Sequence, residues 1–195
     1  LIDRLIVSSD APEIIAAASK FGCEAPFVRP AEYSTDQSSS AEVILHALEQ
    51  VSETYEYVVL LQPTSPFRIT ADIDACLTLC HERNAPAAIT MSVSQKPPEW
   101  MYQIASDNTM QPVLPEPNGA TRRQDLDEIY VINGAVFVAR TDDYRKTKSF
   151  LGPHTVAMVM PTERAIDIDT PLDVIIANAL CEASGKFSVD RGNAE

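Results

Sequence analysis

The segment Ile166-Asp167-Ile168-Asp169-Thr170 places two carboxylates on alternate positions. In an extended chain alternate side chains share a face, so Asp167 and Asp169 are expected to point the same way, about 6–7 Å apart at the backbone. Ile166 and Ile168 would then anchor the opposite face in the core. Paired carboxylates held like this suit Mg²⁺, a hard cation that takes oxygen ligands and substrate phosphates. A plainer role is open to the same residues: Asp169 or Thr170 can cap the helix that opens at Pro171.

Two further polar stretches follow apolar runs. Gln62-Pro63-Thr64-Ser65-Pro66-Phe67-Arg68 follows Tyr57 to Leu61, and Ser8-Ser9-Asp10 follows Leu5 to Val7. Open α/β sheets bind ligands at the C-terminal ends of their strands, so these loops and the acidic segment are expected at one sheet edge. A polar connection, Arg29 to Ser40, ends at a helix N-terminus whose N–H groups face outward; it can read a nucleobase edge or merely cap the helix. Arg122-Arg123-Gln124 concentrates positive charge in an acidic chain, as a fork for carboxylate or phosphate or as a solvated turn. Trp100 suits a pocket wall or, better, a subunit contact. His46, His81 and His154 sit where packing or solvation accounts for them. No nucleophile elbow, HExxH or Ser/His/Asp pattern occurs.

The elements that must position these residues follow from periodicity. Leu5–Val7, Ala25–Val28, Tyr57–Leu61, Ala87–Val93, Ile129–Val138 (interrupted at Asn133-Gly134) and Thr155–Met160 have the apolar content of strands. Tyr57–Leu61 lacks alternation, as a central parallel strand covered on both faces would. Asp10/Glu13 and Ser39/Glu42 have capping-box spacing, and Gly22 supplies a left-handed stop. The second of these helices is expected to bury Val43, Ile44, Ala47, Leu48 and Val51. Thr70 caps a third, with Ile73, Leu77 and Cys80 inward. Pro171–Ala183 closes the series, with Leu172, Ile175, Ile176, Ala179 and Leu180 buried. Strands alternating with helices predict an α/β fold with a mostly parallel sheet. Residues 94–128 break the rhythm with five prolines among them and predict turns and short strands; 185–195 read as a polar tail.

The 195 residues are 45% hydrophobic and carry a net charge of −13, which suits one α/β domain and opposes general binding to nucleic acid or anionic lipid. No run approaches ~18 apolar residues, so no membrane span is expected. Cys23, Cys76, Cys80 and Cys181 are scattered, as in a reduced, cytoplasmic protein. Cys76 and Cys80 lie one helical turn apart beside His81, but the remaining ligands of a zinc site are missing, and core packing is the reading.

The segments VSSD (7–10), RPAEYSTDQSSS (29–40), LLQPTSPFR (60–68), RQ (123–124), NGAVF (133–137) and IDIDTPLD (166–173), taken in order, resemble the cytidylyltransferases that activate sialic acid and related nonulosonic acids. The resemblance spans nearly the whole chain. It implies a three-layer α/β/α fold of the nucleotide-diphospho-sugar transferase type over 1–184, with 94–128 as a small dimerisation element. It implies a homodimer, and a reaction in which CTP and a sugar acid give the CMP-sugar acid and pyrophosphate with Mg²⁺. Arg29, Ser38 and Ser40 match positions near the cytosine. Gln62 matches the sugar pocket, and Arg123 an arginine, supplied by the partner subunit, that meets the sugar carboxylate. Gln124, Asn133 and Phe137 match the nearby lining, and Asp167 and Asp169 the Mg²⁺ pair. The general base is not identified.

Two departures concern the sugar: Trp100 and Val131 stand where some sialate enzymes carry lysine and arginine, so a relative such as legionaminic or pseudaminic acid is also implied. The LLQPTSP loop opposes the eight-carbon acid KDO. The family's opening strand and Gly-rich phosphate loop have no counterpart here, and the 195 residues alone are expected to be inactive. Two other classes compete. An aspartyl phosphatase or phosphomutase would need its Asp-x-Asp early in the chain, and a non-catalytic sugar-nucleotide binding module would need the whole gene to lack the Gly-rich loop.

Overall fold

In a computed structural model of the chain, residues 1–35, 37–114, 122 and 126–184 are described. Five helices and six strands are found among them: α1 (Pro12–Ser19), α2 (Ser40–Gln50), β1 (Tyr57–Leu60), α3 (Thr70–Glu82), β2 (Ala87–Val93), β3 (Tyr102–Ile104), β4 (Met110–Pro112), β5 (Tyr130–Arg140), α4 (Thr141–Thr147), β6 (Val156–Val159) and α5 (Pro171–Ser184). Four strands hydrogen-bond in the order β1-β5-β2-β6. β5 runs antiparallel to β1, with Tyr57 opposite Arg140 and Leu60 opposite Phe137. The bonds Arg140 N–H to Pro86 O and Ser94 N–H to Ile129 O show β5 descending as β2 ascends. The expected α/β class holds, with a mixed sheet in which β5 is a reversed strand.

The chain divides into two compact units. The first comprises Leu1–Leu60, Asp74–Ala88 and Phe137–Val156. Its core holds Ile44, Cys76, Leu77, Cys80, Ala88, Val138 and Tyr144, with Phe150 packed on Tyr144 and Phe137. α2 begins with the expected capping box: Ser39 Oγ accepts the Glu42 N–H, and the Glu42 carboxylate accepts the Ser39 N–H. Of the stripe expected on α2, Ile44 is buried and Val43, Ala47, Leu48 and Val51 are half-buried. Gly22 ends the α1 turn at φ +86°, as its position predicts.

Three expectations fail in this unit. α1 has no capping box: its N-cap is Ala11 with no side-chain bond, Pro12 opens the helix, and the Asp10 carboxylate turns to Arg29 instead. Leu5–Val7 and Ala25–Val28 are not strands. They reduce to one parallel bridge, Ile6 to Glu24, and Leu5 is 43% exposed. Two short segments pairing only at one bridge have no ladder to propagate. β1 is half-buried and stands at the end of the described strand order, so its unbroken apolar run does not mark a central strand. All four of its residues are half-buried, and Tyr57 hydrogen-bonds to His81.

The second unit comprises Leu61–Ile73, Ile89–Val136 and the described residues of Ala157–Glu195. Its buried residues include Ser65, Phe67, Ile89, Thr90, Asn133, Ala135, Val136, Met160 and Ala177. The irregular stretch after β2 forms an exposed antiparallel hairpin, β3–β4. Its three-residue loop is Ser106-Asp107-Asn108. Asn108 takes the left-handed position at φ +65°, and the Asp107 carboxylate accepts the Thr109 N–H and hydroxyl. Thr70 does not cap α3; the Asp72 carboxylate accepts the Ile69 N–H and does so. On α5 the expected buried stripe is reversed. Leu172, Ile175, Ile176 and Ala179 are exposed, Leu180 is half-buried, and Ala177 is buried. Four consecutive apolar residues, Val174 to Ala177, surround the helix, so periodicity could not select a face.

Candidate functional site

β5 is continuous through Asn133-Gly134, but Gly134 adopts φ +73°, the left-handed region that an L side chain avoids. The reason lies in what surrounds it. A Cβ built on Gly134 would meet Gln62 Oε1 at 2.5 Å, Ser65 Oγ at 3.2 Å and Asp167 Oδ2 at 3.4 Å. The loop after β1, the middle of β5 and the acidic segment therefore converge on one glycine. A backbone bond, Ile168 N–H to Thr64 O at 2.9 Å, ties the acidic segment to the loop directly.

Three side-chain devices, one buried and two part-buried, hold this cradle. Ser65, fully buried, donates its hydroxyl to the Asn133 carbonyl at 3.2 Å. Arg68 donates through Nη1 to the carbonyls of Gln62 (2.6 Å) and Ala135 (3.0 Å), and burial pulls its guanidinium below the ordinary arginine range. Arg164, one turn before the acidic segment, forks onto Asp72 with bonds of 3.1 and 2.7 Å. Burial pushes the Asp72 carboxyl up, but the Arg164 fork and the Ile69 N–H outweigh it and hold it below the usual carboxylate range.

Asp167 is half-buried, and its Oδ1 is buried with no hydrogen-bond partner. A buried carboxylate oxygen left unsatisfied costs on the order of 1–3 kcal/mol, a cost a ligand would offset. Asn133 is 5% exposed and its Nδ2 is likewise buried without a partner. The cap of α5 is made by Thr170 and Asp173, whose carboxylate accepts the Thr170 N–H and hydroxyl at 2.7 Å. The Asp169 carboxylate takes no part in that cap and is exposed, so the capping alternative accounts for Thr170 and not for Asp169. An orphaned oxygen on Asp167 and an uncommitted carboxylate on Asp169 fit Mg²⁺, which keeps waters and substrate phosphates in its sphere. Among the described residues no cluster of three His, Cys, Asp or Glu would bind a metal by itself.

The residues expected at the nucleobase lie in the first unit. Arg29 donates from Nε to Ser34 Oγ at 3.0 Å and from Nη2 to Asp10 at 3.4 Å. Ser38 Oγ donates to the Glu32 carbonyl and accepts the Thr35 N–H, folding the loop back on itself. Ser39 is spent on the cap, and Ser40 is exposed at the first position of α2. Phe137, expected in the sugar pocket, is in this unit too; its ring packs on Phe150 at 5.4 Å. Arg123 and Gln124 lie outside the described residues. Sequence reasoning assigned no role to Ser65, Arg68, Thr90, Asp72 or Arg164. Arginines flanking PTSPF and AIDID, in a chain with only 15 Lys and Arg, were the available signal.

An α/β chain with this cradle around Gly134, in the middle of β5, and the acidic segment tied to it has the nucleotide-diphospho-sugar transferase-like fold. The solved structure of CMP:2-keto-3-deoxy-manno-octonic acid synthetase complexed with CTP superposes with a TM-score of 0.62 over 94% of this chain and 82% of that one, at 14% identity. That likeness shows the fold alone. The chain is a homologue of the N-acylneuraminate cytidylyltransferases and related CMP-nonulosonic acid synthases. It is 29% identical over 191 residues to an N-acylneuraminate cytidylyltransferase of Escherichia coli, covering 97% of this chain and 45% of the relative. It is 28% identical over 190 residues to the CMP-N,N'-diacetyllegionaminic acid synthase of Legionella pneumophila, covering 92% and 78%. With the pseudaminic acid cytidylyltransferase of Campylobacter jejuni it shares 29% over 186 residues, covering 92% and 78%. The chain thus spans less than half of the E. coli relative. No protein-family profile matches it.

Proposed function

We propose that the protein is a cytidylyltransferase that forms a CMP-nonulosonic acid and pyrophosphate from CTP and the free sugar acid. The observation that carries this is the convergence of Gln62, Ser65 and Asp167 on Gly134, in a homologue of enzymes named for this reaction. The anomeric hydroxyl oxygen attacks the α-phosphorus and gives its proton to a general base, a new O–P bond forms, the bond from that phosphorus to the oxygen bridging to the β-phosphate breaks, and pyrophosphate leaves with that electron pair. Asp167 and Asp169 are the residues that would hold Mg²⁺. Bound there, the cation neutralises phosphate charge in a chain that is itself strongly acidic. Gln62 presents a carboxamide to the sugar acid, and Arg68 keeps that residue's backbone fixed from behind. Arg29, braced by Ser34 and Asp10, and Ser38 and Ser40 are the groups offered to cytosine.

The same reading makes the protein a cytoplasmic homodimer whose partner subunit contributes Arg123. The exposed β3–β4 hairpin, with Trp100, Met101, Ile104 and Met110 open to solvent, supports the dimer. Its four free thiols support the compartment, and its net charge of −13 argues against nucleic acid as partner. No helix among the described residues is long and apolar enough to cross a membrane. Trp100 and Val131, apolar where some sialate enzymes carry cations, favour legionaminic or pseudaminic acid as the alternative substrate.

The test is pyrophosphate release by the full-length protein with CTP, Mg²⁺ and a panel of nonulosonic acids. Asp167→Asn is expected to lower turnover on the order of 10²-fold, because about 3 kcal/mol of transition-state charge stabilisation goes with the cation. The melting temperature should hold or rise, because a half-buried carboxylate with one unpaired oxygen is replaced by a neutral amide. Undiminished turnover in Asp167→Asn, or no release with any acid of the panel, would reject the proposal.

A further inference from the structure

We propose that Thr90 is a positioning residue: its hydroxyl fixes the Asn133 carboxamide so that the NH₂ group is kept as a donor for an acceptor oxygen of the sugar acid. The inference rests on the function proposed above and goes beyond it to a residue in the middle of β2 that touches no substrate.

Thr90 is 1% exposed. Its Oγ1 accepts the Val136 N–H at 2.9 Å and lies 2.7 Å from Asn133 Oδ1 and 3.2 Å from Val136 O. A hydroxyl has one proton, and the shorter contact takes it, so Thr90 donates to Asn133 Oδ1. The Ala135 N–H donates to the same Oδ1 at 3.2 Å. Two donors thus converge on one side of the carboxamide. Flipping the amide would set its NH₂ against the Ala135 N–H, donor against donor, so the hydrogen bonds choose the orientation. The consequence is the buried Nδ2, which has no acceptor. Folded chains rarely leave such a group unpaired without a function for it.

The placement supports the use. The Asn133 carbonyl is held by Ser65, and the next residue, Gly134, is the point on which Gln62, Ser65 and Asp167 converge. A sugar acid offers carboxylate, acyl carbonyl and hydroxyl oxygens, all of which accept from an amide N–H.

The experiment uses the full-length protein and two substitutions at one position. Thr90→Val keeps the shape and removes the hydroxyl; Thr90→Ser keeps the hydroxyl. Thr90→Val is expected to raise KM for the sugar acid about 10-fold, the equivalent of about 1.4 kcal/mol, with KM for CTP unchanged. Thr90→Ser should stay within about twofold of wild type, a shift below that of one hydrogen bond. A purely structural role would change both KM values and kcat together in Thr90→Val, or leave Thr90→Ser equally impaired, and either result overturns the inference. A second readout needs no turnover. The two Asn133 side-chain NH₂ protons, observed by NMR, should be held in a fixed environment in wild type and Thr90→Ser and be averaged in Thr90→Val. If wild type turns over no nonulosonic acid, the proposed function fails, while this resonance still decides whether Thr90 orients Asn133. An Asn133 signal unchanged in a folded Thr90→Val protein refutes the positioning role.

Discussion

Substituting Gly134 by alanine separates backbone strain from crowding, because the chain supplies its own control. Gly22 and Gly134 both lie in the left-handed region, at φ +86° and +73°. A Cβ at Gly22 meets nothing within 4 Å, whereas at Gly134 it meets Gln62 Oε1 at 2.5 Å, Ser65 Oγ at 3.2 Å and Asp167 Oδ2 at 3.4 Å. Gly22→Ala should therefore report strain alone, about 1–2 kcal/mol. Gly134→Ala carries the same strain plus the cost of moving its neighbours. Gln62 Oε1 is the far end of a flexible side chain and can swing away at little energetic cost. Ser65 cannot, because its hydroxyl is buried and tied to Asn133 O. Overpacking of that kind costs on the order of 1–3 kcal/mol, which sets the expected excess of Gly134→Ala over Gly22→Ala. Urea unfolding measured for both variants gives the difference directly. Displacing Gln62 should also lower pyrophosphate release about 10-fold or more, since small misplacements of a substrate-positioning group are costly, while Gly22→Ala keeps wild-type turnover. If the two variants match in both stability and turnover, the three side chains do not form a tight cradle and the site has been drawn in the wrong place.

Arg164→Met should destabilise the protein by about 2–3 kcal/mol at neutral pH, because it strands the buried Asp72 carboxylate. The Asp72 pKa is depressed in the folded chain, so the stabilisation is fully present above the unfolded value of about 4 and is lost as pH falls through the depressed folded value. The gap between wild type and variant in urea unfolding should accordingly close as pH is lowered below about 4; a gap independent of pH refutes the ion pair. Burial pushes the Cys76 thiol up to about 12, with neighbouring Cys80 adding to it, and Cys80 up to about 11. Alkylation of the native protein at mildly alkaline pH should spare both until urea unfolds it, as peptide mass spectrometry would show. Labelling of either in the folded protein would contradict the packing of α3.

The parts of the fold that were legible are those written in local chemistry. Ser39 and Glu42 are three residues apart and form their capping box wherever the helix begins; Gly22 follows a helix and takes the left-handed stop. Pro97-Pro98 and the prolines near Pro112 exclude regular helix, and the hairpin there follows. The α/β class itself needs only the alternation of apolar runs. What stayed illegible depends on partners distant in sequence. Asp72 and Arg164 are 92 residues apart, Arg68 and Ala135 67, Thr90 and Asn133 43. No spacing rule links such pairs. Asp10 shows the converse error, since its capping spacing was correct but Arg29, 19 residues on, attracts its carboxylate instead. For α5 the sequence held too much apolar surface to decide a face, and the exposed Leu172 and Ile175 are the result.

The long-range bonds explain why the legible site residues could carry chemistry at all. The main chain at or beside each of Gln62, Asn133 and Asp167 is tied down: Gln62 O to Arg68, Asn133 O to Ser65, and the N–H of Ile168, next to Asp167, to Thr64 O. Among the side chains of these three residues, the buried atoms without a partner are one donor on Asn133 and one acceptor on Asp167. Had the fold simply maximised stability, a buried N–H and a buried oxygen on either side of Gly134 would have been paired or replaced by apolar groups of the same shape, which is nearly neutral or stabilising. The supporting residues instead hold both open, so the free energy withheld from folding is available when a polar ligand arrives. Substrate binding should for that reason stabilise this unit more than its contact area alone would suggest.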